Sequence, residues 1–237
     1  PSAILNFSLS KIYIKTTMMN TNETFDIIAK GGKSGTKFPP IEPDSYPAIC
    51  YAIIDIGTQY NQAFDIEAQK IIVMWELPTE RIDIEKDGIV QNLPRAISET
   101  YTLSLNEKAN LRKMLESWRG KTFTEEELKG FNLRNVLGAK CMLNIVNAQK
   151  QNGDTFSKVG AVVKLPKMFA ENLPPKAENP LVMFSTADPQ FLIKMQSLPE
   201  WIQKRIQESK EYKAAALGKQ TQNGFEVVED SEGDLPF

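Results

Sequence analysis

The chain has 237 residues, 41% hydrophobic and 24% charged, with a formal net charge of −2 and no histidine. That length holds one well-buried domain plus appendages, since domains usually span roughly 100–200 residues. Without histidine the chain lacks the commonest general base and the commonest metal ligand, and no apolar run approaches the roughly 18 residues of a membrane span. No cofactor, no metal and no enzymatic activity are expected, and the protein is expected in the cytoplasm.

Residues 1–45 read as a flexible lead-in. Pro1–Thr17 has no charged start, and Ser8, Ser10, Lys11 and Lys15 interrupt its apolar runs, which makes a poor signal peptide. The natural start is expected at Met18 or Met19. Gly32-Lys33-Ser34 is not a phosphate-binding loop, because Ile27 stands where that motif needs its first glycine.

Five strands follow. The first runs from Tyr46 to Ile56 and is expected to end at Gly57, and the second runs from Lys70 to Leu77, stopped by Pro78. Asp87-Gly88 marks a turn, and the third strand covers about Arg95–Leu105. A helix is expected next, with Ser104 and Glu107 as a capping box, Leu111, Leu115 and Trp118 on one face, and Gly120 as its stop. Thr124 and Glu127 cap a second, short helix. The fourth strand is Ala139–Ala148, Asn152-Gly153 turns the chain, and the fifth is Phe156–Leu165. After Pro166 come a proline-rich connector, a short apolar run at Leu181–Ser185, a helix start at Asp188-Pro189 and a charged helix over about Leu198–Leu217. Cys50 and Cys141 lie inside apolar strands and read as reduced core thiols, with a disulfide as the alternative.

Three strands, a helical insertion and a two-strand hairpin are the order of an OB-fold, a five-stranded, partly open barrel. The expected fold is therefore mainly β: a five-stranded OB-like barrel with a helical insertion between strands three and four, C-terminal helices and a disordered acidic tail. An α+β sandwich from the same strands is the alternative. The corresponding segments are a lead-in (1–45), a DNA-binding barrel (46–166), a helical extension (167–218) and a tail (219–237).

Strand alternation sorts the side chains. Ile71, Val73, Trp75 and Leu77 should face the core, leaving Lys70, Ile72, Met74 and Glu76 outward. The outward set also takes in Tyr51, Thr100, Lys140, Asn144, Lys150, Phe156, Lys158 and Lys164. Lysines follow the phosphates of a single strand while rings stack on its bases. An ordinary amphipathic sheet with solvated lysines would show the same pattern. The loop between the first two strands adds Tyr60, Asn61 and Phe64, and that between the last two adds Gln151 and Asn152.

The charge is uneven. From Gln220 onward there are five acids and no lysine or arginine, so the remainder carries +3. The chain ends GFEVVEDSEGDLPF. This end resembles the acidic tip of bacterial single-stranded DNA-binding proteins, which close on several Asp, a hydrophobic residue, Pro and Phe; Leu235 stands where those usually carry Ile. The stretches YPAICYAIIDIGTQ and LSLNEKANLRKMLESWRGKTF resemble replication-associated proteins of phages and mobile elements. Together these resemblances imply a phage or mobile-element single-stranded DNA-binding protein. Such a protein would protect DNA in replication or recombination and recruit protein partners through Asp234, Leu235, Pro236 and Phe237. A strand-annealing factor and a carboxylate-dependent nuclease are the alternatives, the latter resting on Glu127-Leu128-Lys129 and the acids Asp83, Glu85 and Asp87.

Overall fold

Strands β1 (Ser45–Asn61), β2 (Ile66–Lys86) and β3 (Ile89–Thr102) form an antiparallel meander rich in β-branched residues. The computed structural model describes residues 38–86, 88–171 and 173–222. The lead-in up to residue 37, with its start at Met18 or Met19, lies outside the described residues, as do Asp87 and the tail from residue 223. After the meander come helix α1 (Asn110–Arg119), helix α2 (Glu125–Lys129) and a short 3-10 turn at Leu133–Val136. Strands β4 (Lys140–Gln149) and β5 (Thr155–Val163) then form a hairpin whose turn holds Gly153 at φ 85°. The C-terminal segment contributes α3 (Lys167–Ala170), strand β6 (Val182–Phe184), and helices α4 (Phe191–Lys194), α5 (Glu200–Gln207) and α6 (Lys210–Gln222).

The sheet order is β3-β2-β1-β4-β5, all antiparallel, and it curls into a half-barrel. β1 organises it. One edge of β1 pairs with β2, while the other pairs first with β4 (Ser45–Ile49) and then, in parallel, with β6 (Ala52–Ile54). The switch falls at Cys50, whose N–H donates to the Ala139 carbonyl. A register shift between Cys50 and Ala52 then turns β1 so that both its faces are buried.

Two cores result. The inner one joins Ala48, Cys50, Ile53, Trp75, Ile97 and Tyr101 to Leu111, Leu115 and Trp118 of α1, and to Cys141, Leu143, Ile145, Val159 and Val162. Trp75 and Trp118 meet with ring centroids 6.0 Å apart, and the Trp118 indole N–H donates to the Lys140 carbonyl. Both cysteines are buried here as free thiols, and burial pushes Cys50 up to about 12. The outer core joins Ala52, Ile54, Ile56 and Ile72 to Phe184, Phe191, Met195, Leu198, Ile202 and Ile206 of the C-terminal segment.

That second core corrects the expected outward face of β2. Ile72 and Glu76 are buried and Met74 is half-buried, because the C-terminal layer covers them. Glu76 is 0% exposed, and its carboxylate accepts the N–H groups of Glu178 and Asn179 and the Asn179 side-chain amide. Two more carboxylates fasten the same layer. Asp55 accepts from the Thr186 hydroxyl (2.7 Å) and N–H, the Gln69 amide and the Gly57 N–H. Glu211 accepts from the Thr58 N–H and hydroxyl, both at 2.7 Å. Burial pushes the Glu211 carboxyl up, but these bonds hold it below its ordinary value. Its clasp is therefore complete above the usual carboxylate range and loosens as pH falls through the lowered value.

Several boundaries differ from the sequence expectation. β1 runs on through Gly57, which adopts φ 73° at a bulge, where any Cβ would meet that of Ser209 at 2.7 Å. β2 continues past Pro78 because a register shift between Leu77 and Arg81 leaves the proline outside the ladder. Ser104 does not cap α1: its hydroxyl accepts from the Asn106 N–H in the preceding turn, and α1 begins after Ala109 with no side-chain cap. Gly120 does end α1, at φ 67°, and Thr124 with Glu127 does form the capping box of α2. The expected helix Leu198–Leu217 is two helices, broken where buried Ser209 accepts the Tyr212 N–H and starts α6. Among the described residues, no helix is long and apolar enough to cross a membrane.

Candidate nucleic-acid interface

Three depressions adjoin along one side of the half-barrel. The first, about 620 Å³, lies beside the β1–β2 turn and is lined by Gln59, Tyr60, Asn61, Lys70, Arg205 and Glu208, among others. The second, about 450 Å³, shares Lys70 and adds the end of β3 and the approach to α1, including Thr102, Ser104, Asn106 and Lys108. The third, about 350 Å³, shares Thr100, Tyr101 and Asn110 with the second and adds Lys113, Ser117, Lys158 and Gly160. The sequence builds this furrow by leaving β3 and β5 unpaired: they approach each other with α1 packed against both. The seam therefore stays open to solvent, floored by side chains.

Its electrostatics are one-sided. Lys70, Lys108, Lys113, Lys158 and Arg205 line it against two acids, Glu99 and Glu208. None of the five cations is ion-paired among the described residues. Hydroxyl and amide groups lie between them. An unpaired cation in water holds counterions loosely and exchanges them for phosphate with a gain in entropy. Gly160 lines the third depression on the β5 side, where a Cβ would approach the Asn144 amide oxygen to 2.9 Å.

Two exposed rings stand at the mouth of the first depression. Tyr60 is 59% and Phe64 72% exposed. The turn that carries them is built by short-range bonds: the Asn61 side chain and carbonyl accept the Ala63 and Phe64 N–H groups, and Asp65 takes a left-handed φ of 51°. The Tyr60 hydroxyl donates to Asp65 at 2.8 Å, and this bond raises the phenol above its ordinary value. The ring is thus held by its edge with its faces free.

The expected site residues divide into those the furrow gathers and those it does not. Tyr60, Lys70, Thr100 and Lys158 line it, Phe64 stands in the turn at its mouth, and Asn144 flanks it behind Gly160. Tyr51 does not belong to it. Its ring is half-buried in the outer core and its hydroxyl meets the Met74 sulfur, because the C-terminal layer covers that face of β1. Lys150 and Phe156 pair at the β4–β5 turn, with the ammonium 5.9 Å from the ring centroid. Lys140 and Lys164 sit at the other end of that hairpin, one against the Leu173 carbonyl and the other against Gly120. Asp234, Leu235, Pro236 and Phe237 lie outside the described residues.

Lys108, Lys113 and Arg205 were missing from the sequence reading. Lys113 could have been placed on the polar side of α1, opposite Leu111 and Leu115, but nothing local says that this side borders β5. Of the nuclease candidates, Glu127 is engaged by Arg119, by Lys121 and by the Thr124 N–H that it caps. Among the described residues, no three of Cys, Asp and Glu gather as a metal-holding group.

If Tyr60 and Phe64 stack on bases, each Ala substitution is expected to weaken binding to oligo-dT by about 1–3 kcal/mol. Their exposure means that the thermal midpoint should not move. Fluorescence titration of both variants checks this, and normal binding by each would remove the rings from the site. No protein-family model matches the chain, and no curated protein matches its sequence.

Proposed function

We propose that this chain binds single-stranded DNA along the furrow and serves phage or mobile-element replication or recombination as a non-enzymatic protecting factor. The observation that carries the reading is the run of five unpaired cations, interleaved with amides and hydroxyls, that opens beside two exposed aromatic rings. Cations at intervals track a phosphate backbone, and free rings at the entrance offer faces to unstacked bases. Among the described residues no recognition helix is presented for a major groove: α1 packs its apolar side into the inner core and lends Asn110, Lys113, Met114 and Ser117 to the furrow. The β1-β2-β3 meander, the helix before β4 and the return of β4 to β1 suit an OB-type barrel, a fold that commonly takes oligonucleotides.

Titration of fluorescent oligo-dT, against a duplex of equal length and at two salt concentrations, tests the reading. Single strands are expected to bind more tightly than duplex, with little dependence on sequence. Affinity should fall as salt rises, since each phosphate contact contributes a slope of about −0.7 on single strands. Equal affinity for the duplex, or no binding at low salt, would sink it.

The acidic tail completes the proposal as a hook for replication or recombination proteins, through Asp234, Leu235, Pro236 and Phe237. Its five acids belong to the same chain as the furrow's cations and compete with phosphate for them. Removing residues 225–237 is expected to tighten oligo-dT binding modestly at low salt and to abolish partner recruitment. A truncated protein that keeps its partners and its affinity would reduce the tail to a solubility appendage.

A further inference from the structure

Beyond Arg81, β2 has no partner except β3 among the described residues. The two continue as a free two-stranded arm, with Ile82 opposite Leu93, Asp83 opposite Asn92, Ile84 opposite Gln91 and Glu85 opposite Val90, closed by a turn with Gly88 at φ 78°. An isolated two-stranded ribbon is marginal in water. This one carries Ile82, Ile84 and Leu93 on one face, and Ile89 and Val90 near its tip are 62% and 64% exposed.

The two edges of the arm differ. The β2 edge bears Arg81, Asp83 and Glu85, and Arg81 is tied to Glu178 and to Asn92. The β3 edge reads Ile89-Val90-Gln91-Asn92-Leu93, with no charge, and Pro94 then closes it. Exposed edges are usually protected by a lysine, a proline or an inward-pointing charge, and this five-residue stretch has none of them. Apart from the Asn92 carbonyl, which accepts from Arg81, its backbone makes no hydrogen bond outside the β2 ladder among the described residues.

We infer that the Ile89–Leu93 edge is a dimerisation strand that pairs antiparallel with the same edge of a second copy of this chain. Charge selects the occupant. An uncharged strand meets its twofold-related copy with no like charges opposite, in whatever register, whereas two β2 edges would bring acids together. Isologous pairing also covers both β3 arm edges and leaves outermost only the β2 edges, which carry Arg81, Asp83 and Glu85. The apolar face of one arm then continues into that of its partner. Two strands of this length bury less than the roughly 1,200–2,000 Å² of a stable interface, so the dimer depends on concentration. The arm lies apart from the furrow residues, so the inference stands independently of DNA binding.

Cysteine substituted in turn at each position from Ile89 to Leu93 tests the pairing. Cys50 and Cys141 are buried, so the introduced thiol is the accessible one. Mild oxidation is expected to give a disulfide-linked dimer with a sharp maximum at the position that faces itself across the twofold, falling at its neighbours. In parallel, light scattering should show the full-length protein approaching twice the single-chain mass as concentration rises. Val90→Lys should hold it at the single-chain mass, with an unchanged thermal midpoint and unchanged oligo-dT binding. Uniform or absent cross-linking, a single-chain mass at every concentration, or a dimer that survives Val90→Lys would each overturn the inference. Failure of oligo-dT binding in the parent protein would instead count against the proposed function alone.

Discussion

Asp55→Ala is expected to cost about 3–5 kcal/mol, because it removes a buried charge and strands the polar groups arranged around it. Asp55 is 7% exposed and gathers donors from three parts of the chain: Gly57 beside it, Gln69 on β2, and Thr186 between β6 and α4. Thr186 is buried, so its hydroxyl and N–H lose their acceptor, whereas the exposed Gln69 amide can turn to solvent. Loss should fall first on the C-terminal layer, since the inner core does not use these bonds. Chemical denaturation measures the cost, and limited proteolysis locates it: early cleavage within residues 173–210 is expected, with the barrel strands protected. Asp55→Asn keeps the volume and one acceptor oxygen, so it should cost less than Asp55→Ala. A denaturation midpoint equal to that of the parent would mean that the layer is held by its apolar contacts alone.

Replacing Lys70, Lys113 and Lys158 together with alanine is expected to weaken oligo-dT binding on the order of a hundredfold at low salt and to flatten its salt dependence by about two units of slope. These three residues span all three depressions, so a strand following the furrow loses a contact in each. None of them is ion-paired among the described residues, and the fold should tolerate their loss. Lys140→Ala and Lys164→Ala serve as controls at the far end of the β4–β5 hairpin and should change affinity little. If the controls weaken binding as much as the triple substitution does, the DNA runs elsewhere on the half-barrel. Titrations at several salt concentrations separate lost phosphate contacts, which reduce the slope, from lost stacking, which does not.

What the sequence determined by itself was local. Strand alternation placed Ile71, Val73, Trp75 and Leu77 in the inner core, and turn chemistry marked Gly88, Gly120 and Gly153, all at positive φ. The capping box at Thr124 was legible because both its partners lie within four residues. The five long strands and the mainly β character follow from the same short-range signals, while β6 showed only as a short apolar run. Only the tertiary structure decided which of two apolar faces would be covered, and by what. β1 is apolar on both sides, and periodicity cannot say that β6 would take over its edge where β4 departs, or that Phe184, Phe191 and Ile202 would cover Tyr51, Ile72 and Glu76. The furrow belongs to the same class of fact. Lys70, Lys113, Lys158 and Arg205 are separated by 135 positions along the chain from first to last. Lys113 and Lys158 meet because β3 and β5 fail to pair and α1 packs beside the gap, and α5 packs on β1 to bring Arg205 to Lys70, a closure set by long-range packing that leaves no periodic trace in the sequence.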